Sequence, residues 1–279
     1  MNITSITKIE NQRKIAILDT SSVSFLQHLN QRCQRADDIL KDYDLILIPG
    51  WVWEEISDSE ISVAYVEELI EKAYPIYKID EESYSLSVDE QEWNLYQIVK
   101  ASVNQLGQVK SYLRRCVEKS DPLDMDAYAQ WINQLYAEWP ISGNILPSGR
   151  QKKKNAGELS ITILAEILSW YYPDSEIITV YSQDSDTKMF QICADDQLRK
   201  FFSSRVPVPV SFKSNDVILC QLFRNGAISE EDISNERKSE RKITYTRTME
   251  DKSVVIVTKL TDSNDFIDLV KDFSVQIVF

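Results

Sequence analysis

Lys14-Ile15-Ala16-Ile17-Leu18-Asp19-Thr20-Ser21-Ser22 is a short apolar run that stops on an aspartate and three hydroxyl residues. A run without polar alternation suits a strand buried on both faces, and the polar cluster after it suits the turn into a helix N-terminus. The pattern recurs. Leu45-Ile46-Leu47-Ile48 is a second such strand, closed by Pro49-Gly50, and Trp51 to Ile56 opens a helix. Ile177-Ile178-Thr179-Val180-Tyr181 is a third, followed by the turn Ser182-Gln183-Asp184-Ser185-Asp186. Leu159, Ile163, Ile167 and Trp170 recur at helical spacing across Ala156 to Tyr171. Asp216 to Arg224 reads as another helix, with Asn225-Gly226 as its stop. Buried strands alternating with helices predict an α/β fold with a mostly parallel sheet.

The middle of the chain has a different texture. From about Asp89 to Lys119, Trp93, Tyr96, Val99, Val103, Leu106, Val109 and Leu113 recur every three or four residues. Ser120-Asp121-Pro122 reads as an N-cap signal, and Tyr128, Trp131, Leu135 and Trp139 stripe a second helix. Residues of about 59–149 are thus expected to form a helical insertion, its aromatic stripe serving packing rather than base stacking. Past Gly226 the chain turns polar, and then Ile243 to Thr248, Val254 to Val257 and Val275 to Phe279 read as strands, with a short helix over Asp265 to Asp272. The division expected is a domain of residues 1–228 and a small β-rich appendage of 229–279.

Hydrophobic content of 43% and charged content of 27% are ordinary for a globular protein with a substantial core. The formal net charge of −13 argues against a broad electrostatic grip on nucleic acid. The charge is uneven, however. Residues 57–149 carry 16 acidic and 7 basic side chains, a net of −9, and Arg150-Gln151-Lys152-Lys153-Lys154 follows at once as the densest basic run. The four cysteines (Cys33, Cys116, Cys193, Cys220) form no CxxC pair, so neither a zinc framework nor a disulfide framework is expected. The polar first residues lack a signal-peptide pattern, and no apolar segment is long enough to span a bilayer, which predicts a cytoplasmic protein without a membrane partner. His28 is the only histidine and lies on an amphipathic helix, so a histidine-dependent nucleophile is not expected.

The chemistry is expected from carboxylates. Taken singly, each has a structural explanation: Asp19 as a helix cap, Glu55 and Glu158 as favourable charges near helix starts, Asp184 and Asp186 as turn residues. Taken together they say more. Ligands of an open parallel sheet bind beyond the carboxyl ends of its strands, where the strand order reverses. Asp19 and Asp184 follow buried strands directly, and helices starting at the same edge bring Glu55 and Glu158 towards them. Four or five carboxylates there repel one another unless a cation neutralises them, and Mg²⁺ or Mn²⁺ suits an all-oxygen donor set. Such ions support phosphoryl chemistry without histidine.

These stretches resemble the motifs of the PIN-domain family. Ile15-Ala-Ile-Leu-Asp19-Thr-Ser-Ser looks like the first motif, and Ile48-Pro49-Gly-Trp-Val52-Trp-Glu-Glu55-Ile56 like the second, with Glu55 rather than Glu54 at the family's glutamate. Gly157-Glu158-Leu-Ser resembles the third motif, Ile177 to Asp186 the fourth, and Val217 to Ile228 the closing helix. The resemblance covers about residues 12–58 and 150–228. It implies a three-layer α/β/α sandwich and Mg²⁺- or Mn²⁺-dependent cleavage of nucleic acid, RNA ahead of DNA, in a toxin, RNA-processing or defence role. It implies Asp19, Glu55, Glu158 and Asp184 as catalytic carboxylates that bind metal together with Asp186, with Thr20 and Ser182 beside the substrate. Lys152, Lys153 and Lys154, shortly before Glu158, are expected to meet substrate phosphates. Two departures stand out: the long insertion, and Ser182-Gln183 where Thr-Asn is commoner. A protein inhibitor or a defence-complex component is an expected class of partner, and a homo-oligomer is compatible.

Two rival readings follow from the same residues. A phosphatase or phosphoacceptor also uses an aspartate after its first strand, but the phosphatase pattern wants a second Asp where Ser21 stands. A PIN-like scaffold without catalysis keeps the fold and binds partners only.

Overall fold

A computed structural model describes residues 3–10, 12–88, 92–118, 127–146 and 148–278. The first part of the chain runs β1 (Ser5–Ile6), β2 (Lys14–Leu18), α1 (Thr20–Asn30), β3 (Leu45–Pro49), α2 (Gly50–Ile56), α3 (Glu60–Glu71) and β4 (Ile76–Ile79). The middle holds α4 (Glu92–Ser102), α5 (Gly107–Cys116), α6 (Tyr128–Ala137) and the hairpin β5 (Ser142–Ile145) and β6 (Gln151–Lys153). Then come α7 (Ala156–Tyr171), β7 (Ile177–Tyr181), α8 (Ser185–Phe201), β8 (Val210–Lys213) and α9 (Asn215–Arg224). The last part is α10 (Glu230–Glu236), β9 (Arg241–Thr248), β10 (Val254–Thr261), α11 (Ser263–Lys271) and β11 (Val275–Val278).

Six strands form one parallel sheet in the order β1-β4-β3-β2-β7-β8, flanked by helices as a three-layer α/β/α sandwich. The strands read as apolar runs are its centre: every residue of β3 is buried, as are Ile15 to Leu18 of β2. β2 and β7 are neighbours in register, with Leu18 opposite Tyr181. From β2 the chain works outward through β3 and β4, and from β7 it works the other way to β8. The strand order therefore reverses between β2 and β7, where Asp19 and Ser182 emerge.

Helix α7 is the pivot of the packing. Its residues are all buried except Glu158 and Tyr171, which are partly so. The sequence stripe marked only one face, but Ile161, Leu164 and Leu168 make the helix apolar all round, as a helix covered on every side must be. The sheet lies on one side of it, and α8, α2, α4 and the 3₁₀ turn Glu81–Ser87 cover the others.

The stretch 59–149 departs from a purely helical insertion in three ways. It opens with the helix α3 and the strand β4, and β4 belongs to the main sheet; β4 is four residues with Tyr77 and Lys78 half-buried, too short and too polar to stand out as a buried run. The long periodic run is broken at the 3₁₀ turn Val103–Gln105 into α4 and α5. The β5–β6 hairpin closes it. The expected N-cap at Ser120-Asp121-Pro122 lies outside the described residues. The aromatic stripe is packed: Tyr96, Tyr128 and Trp131 are buried, with Trp131 edge-on to both tyrosines, while Trp93 is exposed at 40%. The C-terminal strands form a separate antiparallel sheet, β10-β9-β11, and α10 was not foreseen in the polar stretch it occupies. Arg224 on α9 holds this region by donating to the carbonyls of Val270, Asp272 and Val275. Among the described residues no helix is long and apolar enough to cross a membrane. His28 is exposed and paired with Glu236 at 3.2 Å.

Candidate functional site

Asp19 leaves β2 at the reversal of strand order and is 8% exposed. Its amide continues the sheet by donating to the Tyr181 carbonyl at 3.0 Å. Its side chain also caps α1: Oδ1 accepts from the Thr20 amide at 2.7 Å, and Ser22 completes a capping box. Oδ2 accepts from the hydroxyls of Ser21 at 2.7 Å and Ser182 at 2.8 Å. Burial pushes the pKa of this carboxyl up, the bonds from Ser21, Ser182 and Thr20 pull it back, and the Asp184 charge pushes it up again. Capping and membership of the acidic cluster thus coexist in one side chain.

Glu55 comes from the last turn of α2 and faces the same edge. Its Oε2 is 2.9 Å from the Lys152 ammonium and 3.4 Å from the Thr20 hydroxyl, which donates to it. Burial raises its pKa, Lys152 lowers it, and the Asp19 charge raises it. Lys152 stands on β6, and the turn from β6 into α7 passes through Asn155 in the left-handed conformation (φ 63°), which asparagine adopts more readily than most residues. Burial works against the Lys152 charge, but Glu55, Glu158 and Asp19 outweigh it and hold its pKa above the usual lysine value.

Glu158 lies in the first turn of α7. Its Oε2 is buried and, among the described residues, has no hydrogen-bond partner. Its pKa is pushed up to about 7, first by burial and then by the charges of Asp19 and Glu55, with Lys152 opposing. Gly157 lies against α2, where an added methyl would stand 3.4 Å from Val52 Cγ2 and 3.6 Å from Glu55 Oε1. The Gly-Glu pair therefore brings two helices, and the two glutamates they carry, together.

The other expected residues separate into near and far. Asp184 caps α8 by accepting from the Asp186 amide at 2.8 Å, and its own amide donates to Ser182 Oγ at 3.0 Å. Ser182 thus joins Asp184 to Asp19, and its hydroxyl orients the buried carboxylate. Asp186 is exposed, and it is not among the charges that push Asp19, Glu55 or Glu158 up. Lys153 is turned away, donating to the Tyr136 carbonyl with its ammonium 3.4 Å from the centre of the Tyr136 ring. Lys154 is exposed, and its carbonyl accepts from Trp139 Nε1 at 3.0 Å. Of the three lysines, Lys152 alone reaches the carboxylates. Arg150 fastens the hairpin to α2 through Glu54 at 2.8 Å, so neighbouring glutamates of one helix hold neighbouring cations of one hairpin.

Three carboxylates with mutual repulsion and one orphaned buried oxygen offer the oxygen donors that hard divalent cations take. As placed, they do not form a closed ligand cage: among the described residues no three His, Cys, Asp or Glu side chains are grouped tightly enough to hold an ion. Lys152 supplies the positive charge against Glu55. Sequence reading missed Ser21 as a partner of Asp19, although a hydroxyl two residues after the aspartate was in plain view. It also missed Glu81, which is 3% exposed and pinned between α2 and α7, because Asp80-Glu81-Glu82 looks like any solvated acidic run. No protein-family model and no curated protein matches this chain.

Proposed function

We propose that this protein is a divalent-metal-dependent nuclease that hydrolyses phosphodiester bonds, in RNA ahead of DNA, as its resemblance to the PIN family implies. The observation that carries the reading is Glu158, a half-buried carboxylate with an unpartnered oxygen placed against Asp19 and Glu55. A buried polar atom without a partner calls for an explanation, and an absent cation is one. Asp19, Glu55, Glu158 and Asp184 would hold Mg²⁺ or Mn²⁺, which supplies Lewis acidity and positive charge for the phosphoryl transition state. Ser21 and Ser182 fix the Asp19 carboxylate. Thr20 and Lys152, both on Glu55 here, are the donors placed to meet a substrate phosphate once a metal occupies the carboxylates. A toxin or defence role, with an inhibitor or defence-complex protein as partner, belongs to the same proposal.

A second reading, a scaffold of this fold without catalysis, is favoured by one observation: Lys152 already neutralises Glu55. The two part on one experiment. The wild-type protein is incubated with matched RNA and DNA oligonucleotides in Mn²⁺, Mg²⁺ or EDTA, alongside Asp19→Asn. The nuclease reading expects metal-dependent RNA cleavage that EDTA and the substitution both abolish. Intact RNA and DNA under every condition would leave the scaffold.

A further inference from the structure

Helix α2 starts at Pro49-Gly50, and Pro49 offers no side-chain cap for its first amides. The cap comes from thirty residues downstream. Glu81, at the head of the 3₁₀ turn that follows β4, accepts from the Trp51 amide at 2.9 Å with Oε1. The same oxygen accepts from the hydroxyl of Ser160, which also bonds the Tyr84 hydroxyl at 3.0 Å. Trp51 lies four residues before Glu55 on α2, and Ser160 lies two after Glu158 on α7. One carboxylate oxygen therefore ties together the two helices that carry the glutamates of the site. The space around it is made to measure. A Cβ at Gly50 would stand 2.6 Å from Glu81 Oε2 and 2.7 Å from Asp80 Oδ1, so any larger residue would push these carboxylates aside.

We propose that Glu81 is a positioning residue of the site, setting the separation of Glu55 and Glu158 by bridging the Trp51 amide and the Ser160 hydroxyl. The inference rests on the metal-site reading above. The 3₁₀ turn after β4, which supplies none of the four carboxylates, then holds two of them in place from outside. Both bonds are made to a single acceptor oxygen, so the amide of glutamine, which keeps that oxygen, preserves them. Burial pushes the Glu81 carboxyl up to about 8, so loss of its charge is a small change near neutral pH.

The test is Mn²⁺ binding to the protein, read by calorimetry without substrate, with folding followed separately by circular dichroism. Glu81→Ala should weaken Mn²⁺ binding about ten- to a hundredfold, the range for losing a group that orients metal ligands. Glu81→Gln should stay near wild type. Val99→Ala, a cavity in the fully buried face of α4, serves as a control that lowers stability and leaves affinity unchanged. Should Glu81→Ala fail to fold, Ser160→Ala removes one of the two bonds and should weaken Mn²⁺ binding by a smaller factor. Wild-type affinity in Glu81→Ala or Ser160→Ala, equal losses in Glu81→Gln and Glu81→Ala, or an equal loss in Val99→Ala would overturn the inference. A wild-type protein that binds no Mn²⁺ would instead remove the metal-site reading, and this inference with it.

Discussion

Glu158 and Glu166 stand eight residues apart on α7, about 12 Å along one helix. Burial pushes the pKa of both carboxyls up. Their partners could hardly differ more. Glu166 is fully buried, and each of its oxygens has a neutral donor: Trp170 Nε1 at 2.9 Å and Gln191 Nε2 at 2.8 Å. Glu158 has an orphaned oxygen and faces Asp19 and Glu55 across a lysine. Burial alone therefore does not mark a functional acid. What sets Glu158 apart is a carboxylate whose surroundings leave it short of donors and crowded by like charges, so that a proton or an added cation is needed to satisfy it.

The largest expected difference between the two is in cleavage. Glu158→Gln should lower metal-dependent RNA cleavage on the order of 10²–10³-fold or more, as removing a group that stabilises transition-state charge does. Glu166→Gln should leave it within a few-fold of wild type in the same assay. Comparable losses in both would mean that α7 acts through its packing and not through its N-terminal acid.

Stability should sort them the other way. Glu166→Ala strands the indole N–H and the Gln191 amide in the core, at about 1–3 kcal/mol for each donor left unpaired. Urea denaturation should show that loss, while Glu158→Gln in EDTA should be as stable as wild type or more so. A pH series sharpens the contrast. Burial pushes Glu158 up to about 7 and Glu81 up to about 8, both above the ordinary glutamate value of 4.5, so at these two carboxyls the folded protein holds more protons than the unfolded chain across that window. Metal-free stability should therefore fall as pH rises from about 4.5 to 8. Glu158→Gln should remove the part lost below about pH 7, at most about 3 kcal/mol. A slope unchanged by Glu158→Gln would mean that its carboxyl is not held protonated.

A smaller effect is expected at Lys152. Its ammonium competes with any cation for Glu55, so Lys152→Gln should tighten Mn²⁺ binding about threefold to tenfold, on the order of 1 kcal/mol. Calorimetry checks the sign. Weaker binding would show that Lys152 organises the site and does not compete for it.

How far the sequence reached depends on range. Asp19 and Asp184 were legible because an apolar run followed by an acid, at once or within a short polar turn, fixes both the strand and the edge near which the acid lies. Glu158 was legible as an acid in the first turn of α7, but its orphaned oxygen was not, since that depends on which donors are missing nearby. β4 and β8 were missed because Ile76-Tyr77-Lys78-Ile79 is short and half-polar, and because Pro207 and Pro209 precede Val210-Ser211-Phe212-Lys213 and break its pattern. Both strands form by pairing with an existing sheet and not by local propensity. By sequence the lysine run is three equivalent cations. The hairpin turns them differently, so only Lys152 meets the carboxylates while Lys153 lies over Tyr136. Glu81 was invisible for the same reason: its value lies in a bridge to residues 30 and 79 positions away in the chain.

The most direct test of the account is thermal denaturation of wild type, Glu158→Gln and Glu166→Gln in EDTA and in saturating Mn²⁺. A cation that binds only the folded protein stabilises it by RT ln(1 + [L]/Kd), roughly 2–3 kcal/mol at a hundredfold excess over Kd. Wild type and Glu166→Gln should both melt several degrees higher in Mn²⁺, while Glu158→Gln should melt at nearly the same temperature in both buffers. A wild-type midpoint indifferent to Mn²⁺, or an equal rise in Glu158→Gln, would contradict a divalent-metal site at these carboxylates.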